Sequence, residues 1–423
     1  MEIPAFIQRR IDRTVAVLGA GVSGEGAVAL LSKLGASAAV YDQNGAEFTA
    51  EAARAHGLVV FSPGFSPTHP WLAIARDCGC MCVAELDLAS VFWRGRILAV
   101  TGTNGKTTLT EFLAHALGRA GRRALAAGNI GIPFTRVVAD EDGGDPETTA
   151  VCEVSSYQAE QLGHFYADGL LWTNFAEDHL ERHPDTDAYF AAKWILVIRT
   201  APGRLFVGSS VEREGALLGR PLPAGSCVAT EGQPPDPRLE GTPFYSYPQR
   251  ENFILAAAWW RAERLDETLL YAAARSFRIG RHRLSRVASI DGVSYWNDSK
   301  ATNFHAVEAA LAGFPSPVVL IAGGRSKGGN LGGFVSRIAP RVAHAALIGE
   351  TGPALAAAFE SCGVPHTECA GLDEAVRLAA GVAAPGGNVV LSPGFASFDM
   401  FRNYEDRGDR FERAVSELRT ARV

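Results

Sequence analysis

The stretch "VTGTNGKTTLTEFL", residues 100 to 113, gathers glycines, a lysine and threonines in the way a polyphosphate requires. Gly102 and Gly105 let the backbone approach phosphate oxygens, Lys106 sets a cation against the β- and γ-phosphates, and the Thr107 hydroxyl can ligate Mg2+. The fuller pattern G-x-x-x-x-G-K-[ST] would need glycine where Val100 stands, so the loop is shortened at its start. It follows an apolar run, "RILAV", and precedes "LTEFLAHALGRAG", a predicted strand and helix, which is the setting of a phosphate loop. ATP is the expected ligand; a plain Gly-Lys turn ahead of a helix is the alternative.

A metal held by one hydroxyl and phosphates needs further hard ligands. Glu153 closes the apolar run "TTAVCE", where a carboxylate is unusual without a partner, and Mg2+ is a natural one. "LLWTNFAEDHLERH" offers Asn174, Asp178, His179 and His183 after another apolar run; His179 is either a ligand or a loop residue. Lys193 in "YFAAKWILV" lies on the side of a predicted helix that should be buried, which is costly for a lysine unless it is paired or modified. The alternative is a snorkelling surface lysine.

A second glycine loop, "GAGVSG" at 19 to 24, follows the apolar run "TVAVL", and Asp42 comes after the next one. This is a dinucleotide fingerprint: backbone N–H groups at a helix N-terminus receive a pyrophosphate and the acid binds a ribose hydroxyl. NAD(P), a nucleotide sugar, or tight strand–helix packing without ligand all satisfy it. Lys300, Lys327 and Arg283 sit in polar segments near or after later apolar runs and could meet an anionic substrate such as a dicarboxylate; each alone also reads as a surface cation.

These residues need α/β scaffolds. Apolar runs alternating with helical periodicity predict parallel sheets, and three glycine- or proline-punctuated stretches predict three domains: residues 1–93, a Rossmann-like unit; 94–279, a P-loop ATPase-type unit with a parallel or mixed sheet; and 280–423, a second Rossmann-like unit. A chain of 423 residues supports that number at about 150 residues per domain. A net charge of −6 gives no basic footprint for nucleic acid. The most apolar run, "FILAAAWW" (253–260), is short of the ~20 residues that span a bilayer, and "MEIPAFIQRRIDR" reads as no secretory signal. Seven scattered cysteines suggest reduced thiols in a cytoplasm. Cys78, Cys80 and Cys82 alternate as thiols of one partly buried strand would, without zinc-pair spacing.

The chain resembles the Mur ligase family over nearly its whole length, through "GAGVSG", "SPG", "TGTNGKTT", "GNIG", "EVSSYQ", "NFAEDHLERH", "AAK", "NDSKATN", "GGRSKGG" and "LSPGFASFDMFRNYEDRG" in that order. The shortened loop is the family's own form. The resemblance implies ATP-dependent addition of D-glutamate to UDP-N-acetylmuramoyl-L-alanine through an acyl phosphate, by a monomer in the cytoplasm without membrane insertion. Another amide ligase of the superfamily, or an NAD(P)-dependent oxidoreductase, is the alternative.

By the same likeness Gly21, Val22, Ser23, Asp42, Gly64 and Ser155 face the uridine substrate, and Thr302, Lys327, Ser397 and Tyr404 the D-glutamate. Gly102, Thr103, Asn104, Gly105, Lys106, Thr107 and Thr108 cradle ATP, with Asn252, Arg283, Asn297 and Asp298 on the nucleotide side. Asn129 lies near the reacting groups. Two Mg2+ sites are implied, with Mn2+ able to substitute: Thr107 and Glu153 at the first, His179 and a carbamylated Lys193 at the second. The chain departs from the family at Pro248-Gln249, where His-Asn is usual, and at "RIGRHRLSR".

Overall fold

The structure, a computed structural model, describes residues 1–229 and 232–420. Four short strands form the first sheet: β1 Val15–Leu18, β2 Ala38–Tyr41, β3 Leu58–Phe61 and β4 Met81–Ala84, in the order β2-β1-β3-β4 and parallel. "VAVL" and "LVVF" are buried at every residue, as central strands covered on both faces must be. The 2-1-3-4 order is the flavodoxin type of doubly wound sheet, so its switch point lies between β1 and β3. The helix Val22–Lys33 follows β1 and stops before Gly35, whose φ is 75°. A Cβ on Gly24 would lie 1.9 Å from the Gly19 carbonyl oxygen, so this glycine lets helix and loop meet.

The three clustered cysteines do not share one strand. Only Cys82 is in a strand; Cys78 caps the helix Pro70–Asp77, and Gly79, at φ 78°, turns the chain before β4 begins. Cys80 donates to the carbonyls of Ala53 (3.3 Å) and His56 (3.4 Å), and burial pushes the Cys82 thiol up to about 11. Burial raises the Cys80 thiol as well, the opposite of what a thiolate ligand needs.

The second sheet has six strands: β5 Arg96–Thr101, β6 Ala124–Gly128, β7 Thr149–Glu153, β8 Gly169–Trp172, β9 Leu205–Gly208 and β10 Cys227–Ala229. Their order is β10-β9-β8-β5-β7-β6 and every pairing is parallel. The chain runs to one side from β5 through β6 and β7, then to the other through β8, so a crevice opens at the carboxyl end of β5. The helix Lys106–Arg119 starts there, directly after the shortened loop. The first two sheets belong to one compact unit and share one apolar core, in which Leu30, Phe134 and Trp172 are wholly buried. Their join is close. A Cβ on Gly26 would lie 2.7 Å from Thr135 Oγ1, and buried Glu85 accepts from Thr135 N (2.8 Å) and Oγ1 (2.6 Å).

The other compact unit comprises residues 176–186, 243–250 and 278–423. Its sheet contains β11 Ser285–Ile290, β12 Val293–Asn297, β13 Val318–Gly323, β14 Val342–Ile348, β15 His366–Glu368 and β16 Asn388–Leu391, in the order β11-β12-β16-β13-β14-β15. β11 and β12 are an antiparallel hairpin turned by Asp291-Gly292, both at positive φ (49° and 78°); the remaining pairings are parallel. Residues 176–186 carry Asp178 and His179 and lie in the middle of the chain, yet pack with this third sheet.

Candidate active site

The loop after β5 is held from below by its neighbour strand's end. Asn174 Oδ1 accepts from Asn104 N (2.9 Å), its Nδ2 donates to Asn104 O (3.1 Å), and Thr173 Oγ1 donates to that same carbonyl (2.6 Å). Gly102, at φ 146°, would push a Cβ to 1.9 Å from Thr173 Oγ1, so no side chain fits. Gly105, at φ 83°, lies against Asn252 of the helix Gln249–Ala262: a Cβ there would be 2.6 Å from Asn252 Oδ1. The helix that follows leaves its first N–H groups without intrahelical acceptors and points its positive end at whatever the loop holds. Lys106 Nζ donates to the carbonyls of Gly102 (3.0 Å) and Thr103 (2.8 Å), which keeps the ammonium over the loop.

Glu153 ends β7 in register with Val100 of β5 and with Gly128 of β6. Its side chain is 2 % exposed; Oε1 accepts from Asn129 Nδ2 (2.9 Å) while buried Oε2 has no hydrogen-bond partner. A carboxylate oxygen stripped of water and left without a donor is costly, and a hard cation is the partner that fits it. Among the described residues no three His, Cys, Asp or Glu groups converge on a point, so any cation here draws on hydroxyl and phosphate oxygens as well. Gly128 makes the approach possible: a Cβ on it would lie 2.2 Å from the Glu153 carbonyl oxygen.

Lys193, in the helix Thr186–Ile198, is buried at 1 % exposure, not snorkelling. Its Nζ donates to Thr101 Oγ1 at the end of β5 (3.3 Å) and lies 5.0 Å from the Tyr189 ring. Lys106, Thr107, Asn129, Glu153 and Lys193 therefore all belong to the carboxyl edge of the second sheet or to elements packed on it. His179, at φ 58°, belongs to the other unit, with Nδ1 3.2 Å from Glu181 Oε1.

At the first glycine loop, Asp42 accepts from Ala20 N (2.9 Å) and Asn44 N (3.1 Å), and these two donors, Ala20 first, hold its carboxyl below the usual carboxylate range. The acid is thus committed to the loop's backbone. Gly21 caps the helix Val22–Lys33, Ser23 lies in its first turn, and Val22 is 62 % exposed, an unusual apolar face beside a loop of N–H groups. Gly64 follows β3. Ser155 spends its hydroxyl as the cap of the helix Ser156–Ala159, accepting from Gln158 N (3.3 Å).

In the other unit an open pocket is lined by Asp178, His179, Thr302, Asn303, Lys327 and Phe395, among others. Lys327 Nζ lies 3.5 Å from Asp178 Oδ1, and Asn303 Nδ2 donates to Asp178 Oδ2 (2.8 Å). Ser397 is buried nearby in sequence to this wall but is not one of its lining groups, and Tyr404 instead receives Lys300 over its ring at 3.8 Å. Asn297 is fully buried and donates to Gly408 O (3.1 Å) and Glu412 Oε1 (2.9 Å), while Asp298 accepts from Leu284 N and Ser392 Oγ. Burial pushes Asp298 up to about 7. Arg283, next to buried His282, is half-buried. The neighbouring departure, Arg281, pairs with Asp409 (2.7 Å) and Glu412 (2.6 Å) of the helix Tyr404–Thr420.

The spacing of the residues gives Asn174 and Asp178 no task and does not single out Arg407. Arg407 is wholly buried and donates to Ser299 O (2.8 Å), Ser299 Oγ (3.0 Å) and Phe395 O (3.1 Å), tying two loops of the cavity's side together. The signal for Asn174 was its place immediately after an apolar strand beside the phosphate loop's own strand; nothing in the spacing signals Arg407.

The Mur ligase middle domain matches residues 100–212 and the Mur ligase glutamate ligase domain residues 282–395. The chain is 39% identical to a UDP-N-acetylmuramoylalanine–D-glutamate ligase of Frankia casuarinae, covering 95% of this chain and 93% of that protein. It is 35% identical to the one of Chlorobium luteolum, covering 96% and 98%. Among solved structures, a UDP-N-acetylmuramate–alanine ligase of Thermotoga maritima shares the fold at TM-score 0.60 and 18% identity, over 97% of this chain and 100% of that one. The MurF ligase of Thermotoga maritima in complex with ADP does so at 0.58 and 15%, over 88% and 97%. The chain belongs to the Mur ligase family.

Proposed function

We propose that this chain is the ATP-dependent ligase that joins D-glutamate to UDP-N-acetylmuramoyl-L-alanine in peptidoglycan precursor synthesis. The observation that carries the reading is the buried Glu153, its Oε2 unpartnered, at the strand end in register with the phosphate loop of a chain so similar to ligases of that name. Mg2+ fits Glu153 and Thr107, where it would supply positive charge against the transferring phosphoryl group and its acceptor. Lys106 does the same from the loop, and Asn129 keeps the Glu153 carboxylate turned toward the crevice. The substrate's terminal carboxylate attacks the γ-phosphate of ATP to give an acyl phosphate and ADP. The amine of D-glutamate then attacks the acyl carbon and releases phosphate. Both steps depend on positioning and charge stabilisation rather than on a protein nucleophile.

In this reading residues 1–93 bind the uridine nucleotide, 94–279 bind ATP, and 280–423 present D-glutamate, in a monomer of the cytoplasm. Gly21, Val22, Ser23, Asp42, Gly64 and Ser155 serve the first; Gly102 to Thr108, Asn252, Arg283, Asn297 and Asp298 the nucleotide; Thr302, Lys327, Ser397 and Tyr404 the amino acid. Lys193 is carbamylated and would supply oxygen ligands to a second cation. Burial supports this: an unmodified ammonium at 1 % exposure is costly, whereas a carbamate supplies oxygen ligands.

Phosphate release is the test, measured with ATP, Mg2+ and UDP-N-acetylmuramoyl-L-alanine while adding D-glutamate, L-glutamate or neither. Release that requires D-glutamate, with one glutamate gained by the product, is expected; equal release with the L-isomer removes the assignment. Lys193→Ala is expected to be nearly inactive and partly recovered by added short carboxylic acids. Full activity of that variant without rescue removes the carbamate.

A further inference from the structure

Asp178 is a buried carboxylate that the reaction above does not use. It lines the cavity of the third-sheet unit with its side chain only 6% exposed, and Lys327, 3.5 Å away, shares that wall with a side chain 21% exposed. The anion is firmly placed: Oδ2 accepts from Asn303 Nδ2 (2.8 Å) and Oδ1 from the His179 backbone N–H (2.9 Å). Asn303 is itself locked, since its Oδ1 accepts from Ala306 N (2.9 Å) as the cap of the helix Phe304–Ala312. The carboxylate therefore keeps its place when the lysine turns elsewhere. At 3.5 Å the pair is looser than a charge-assisted hydrogen bond, which closes to roughly 2.7–2.9 Å. A cation and an anion side by side on one cavity wall have the spacing of the carboxylate and ammonium of an α-amino acid, with signs reversed.

We infer that Asp178 recognises the ammonium group of the incoming amino acid, while Lys327 takes a carboxylate, so that the Asp178–Lys327 pair is the wall's own substitute for the substrate's zwitterion. This rests on the reading of the cavity as the amino-acid site and adds the group that reads the amine. Asp178 acts by binding and orienting; the ammonium gives up one proton to solvent, and the neutral amine that remains supplies the attacking lone pair. The design would also separate amino acids from simple dicarboxylic acids, which carry the same negative groups without the ammonium.

The test compares D-glutamate with glutarate, its analogue lacking the amine, on the full chain with ATP, Mg2+ and the uridine substrate. Asp178→Asn keeps an acceptor for Asn303 and removes the charge. Its KM for D-glutamate is expected to rise about tenfold or more, while the inhibition constant of glutarate stays level or falls and the KM for ATP is unchanged. Should that variant fail to fold, judged by thermal melting, Asp178→Ser serves the same comparison. Parallel weakening of D-glutamate and glutarate would mean a structural role and overturn the inference, as would an unchanged KM for D-glutamate. If the unaltered protein shows no saturation by D-glutamate at all, the site reading itself falls and takes the inference with it.

Discussion

Two glycine loops in one compact unit have the same plan, a buried parallel strand, a turn of glycines and a helix, and they are finished differently. In the first, Asp42 caps the loop's own backbone and Gly24 closes helix onto loop. In the second, Asn174 and Thr173 brace the loop, Lys106 hangs over it, and Glu153 waits on the adjacent strand with a bare oxygen. On the proposed function, the difference separates holding a diphosphate from moving a phosphoryl group. Backbone N–H groups and a helix end suffice for the first task; the second needs mobile positive charge and a desolvated carboxylate for a cation.

The strongest way to break this contrast is Lys106→Ala. It should lower kcat by roughly 10²- to 10³-fold, the usual loss when one transition-state stabiliser goes, with little change in melting temperature. A mild effect confined to the KM for ATP would put the second loop in the same class as the first. The paired glycine variants sharpen it. Gly24→Ala forces a Cβ to 1.9 Å from Gly19 O and should raise the KM for the uridine substrate alone, whereas Gly102→Ala meets Thr173 Oγ1 at 1.9 Å and should raise the KM for ATP alone. Indistinguishable effects on both substrates would mean that the loops do not act separately. The smallest effect belongs to Asp42→Asn, a few-fold rise in the KM for the uridine substrate. Because the carboxyl is held below its usual value of 3.8, the loop contact is complete above that pH and is lost as pH falls through the lowered pKa, so the difference between variant and parent should shrink in acid.

Much of this was legible in the residues. The strands that carry the loops are short unbroken apolar runs, and the glycines, Lys106 and Glu153 sit where those runs end, so both scaffold and charge could be read locally. Helical periodicity puts Lys193 on the inward side, but a snorkelling lysine fits the same spacing, and the fold is what buries it. What could not be read depends on contacts between distant segments. The brace from Asn174 requires knowing that β8 lies beside β5, which is a matter of strand order. The placement of Asp178 requires knowing that residues 176–186 pack with the third sheet. The alternating cysteines misled because alternation in sequence was interrupted by a glycine turn at Gly79.

The seam between the first two sheets has a geometric result. Gly26 against Thr135, and Glu85 gripping the same threonine, weld the helix of the first loop to the neighbouring helix Phe134–Asp140, just past "GNIG". For a substrate anchored by its diphosphate at the first loop, the distance to the phosphoryl-transfer centre is then a constant of the fold. On the proposed function the unit would work as a ruler: a precursor whose reactive carboxylate lies one amino acid nearer or farther would be rejected by length, before any side chain has inspected it.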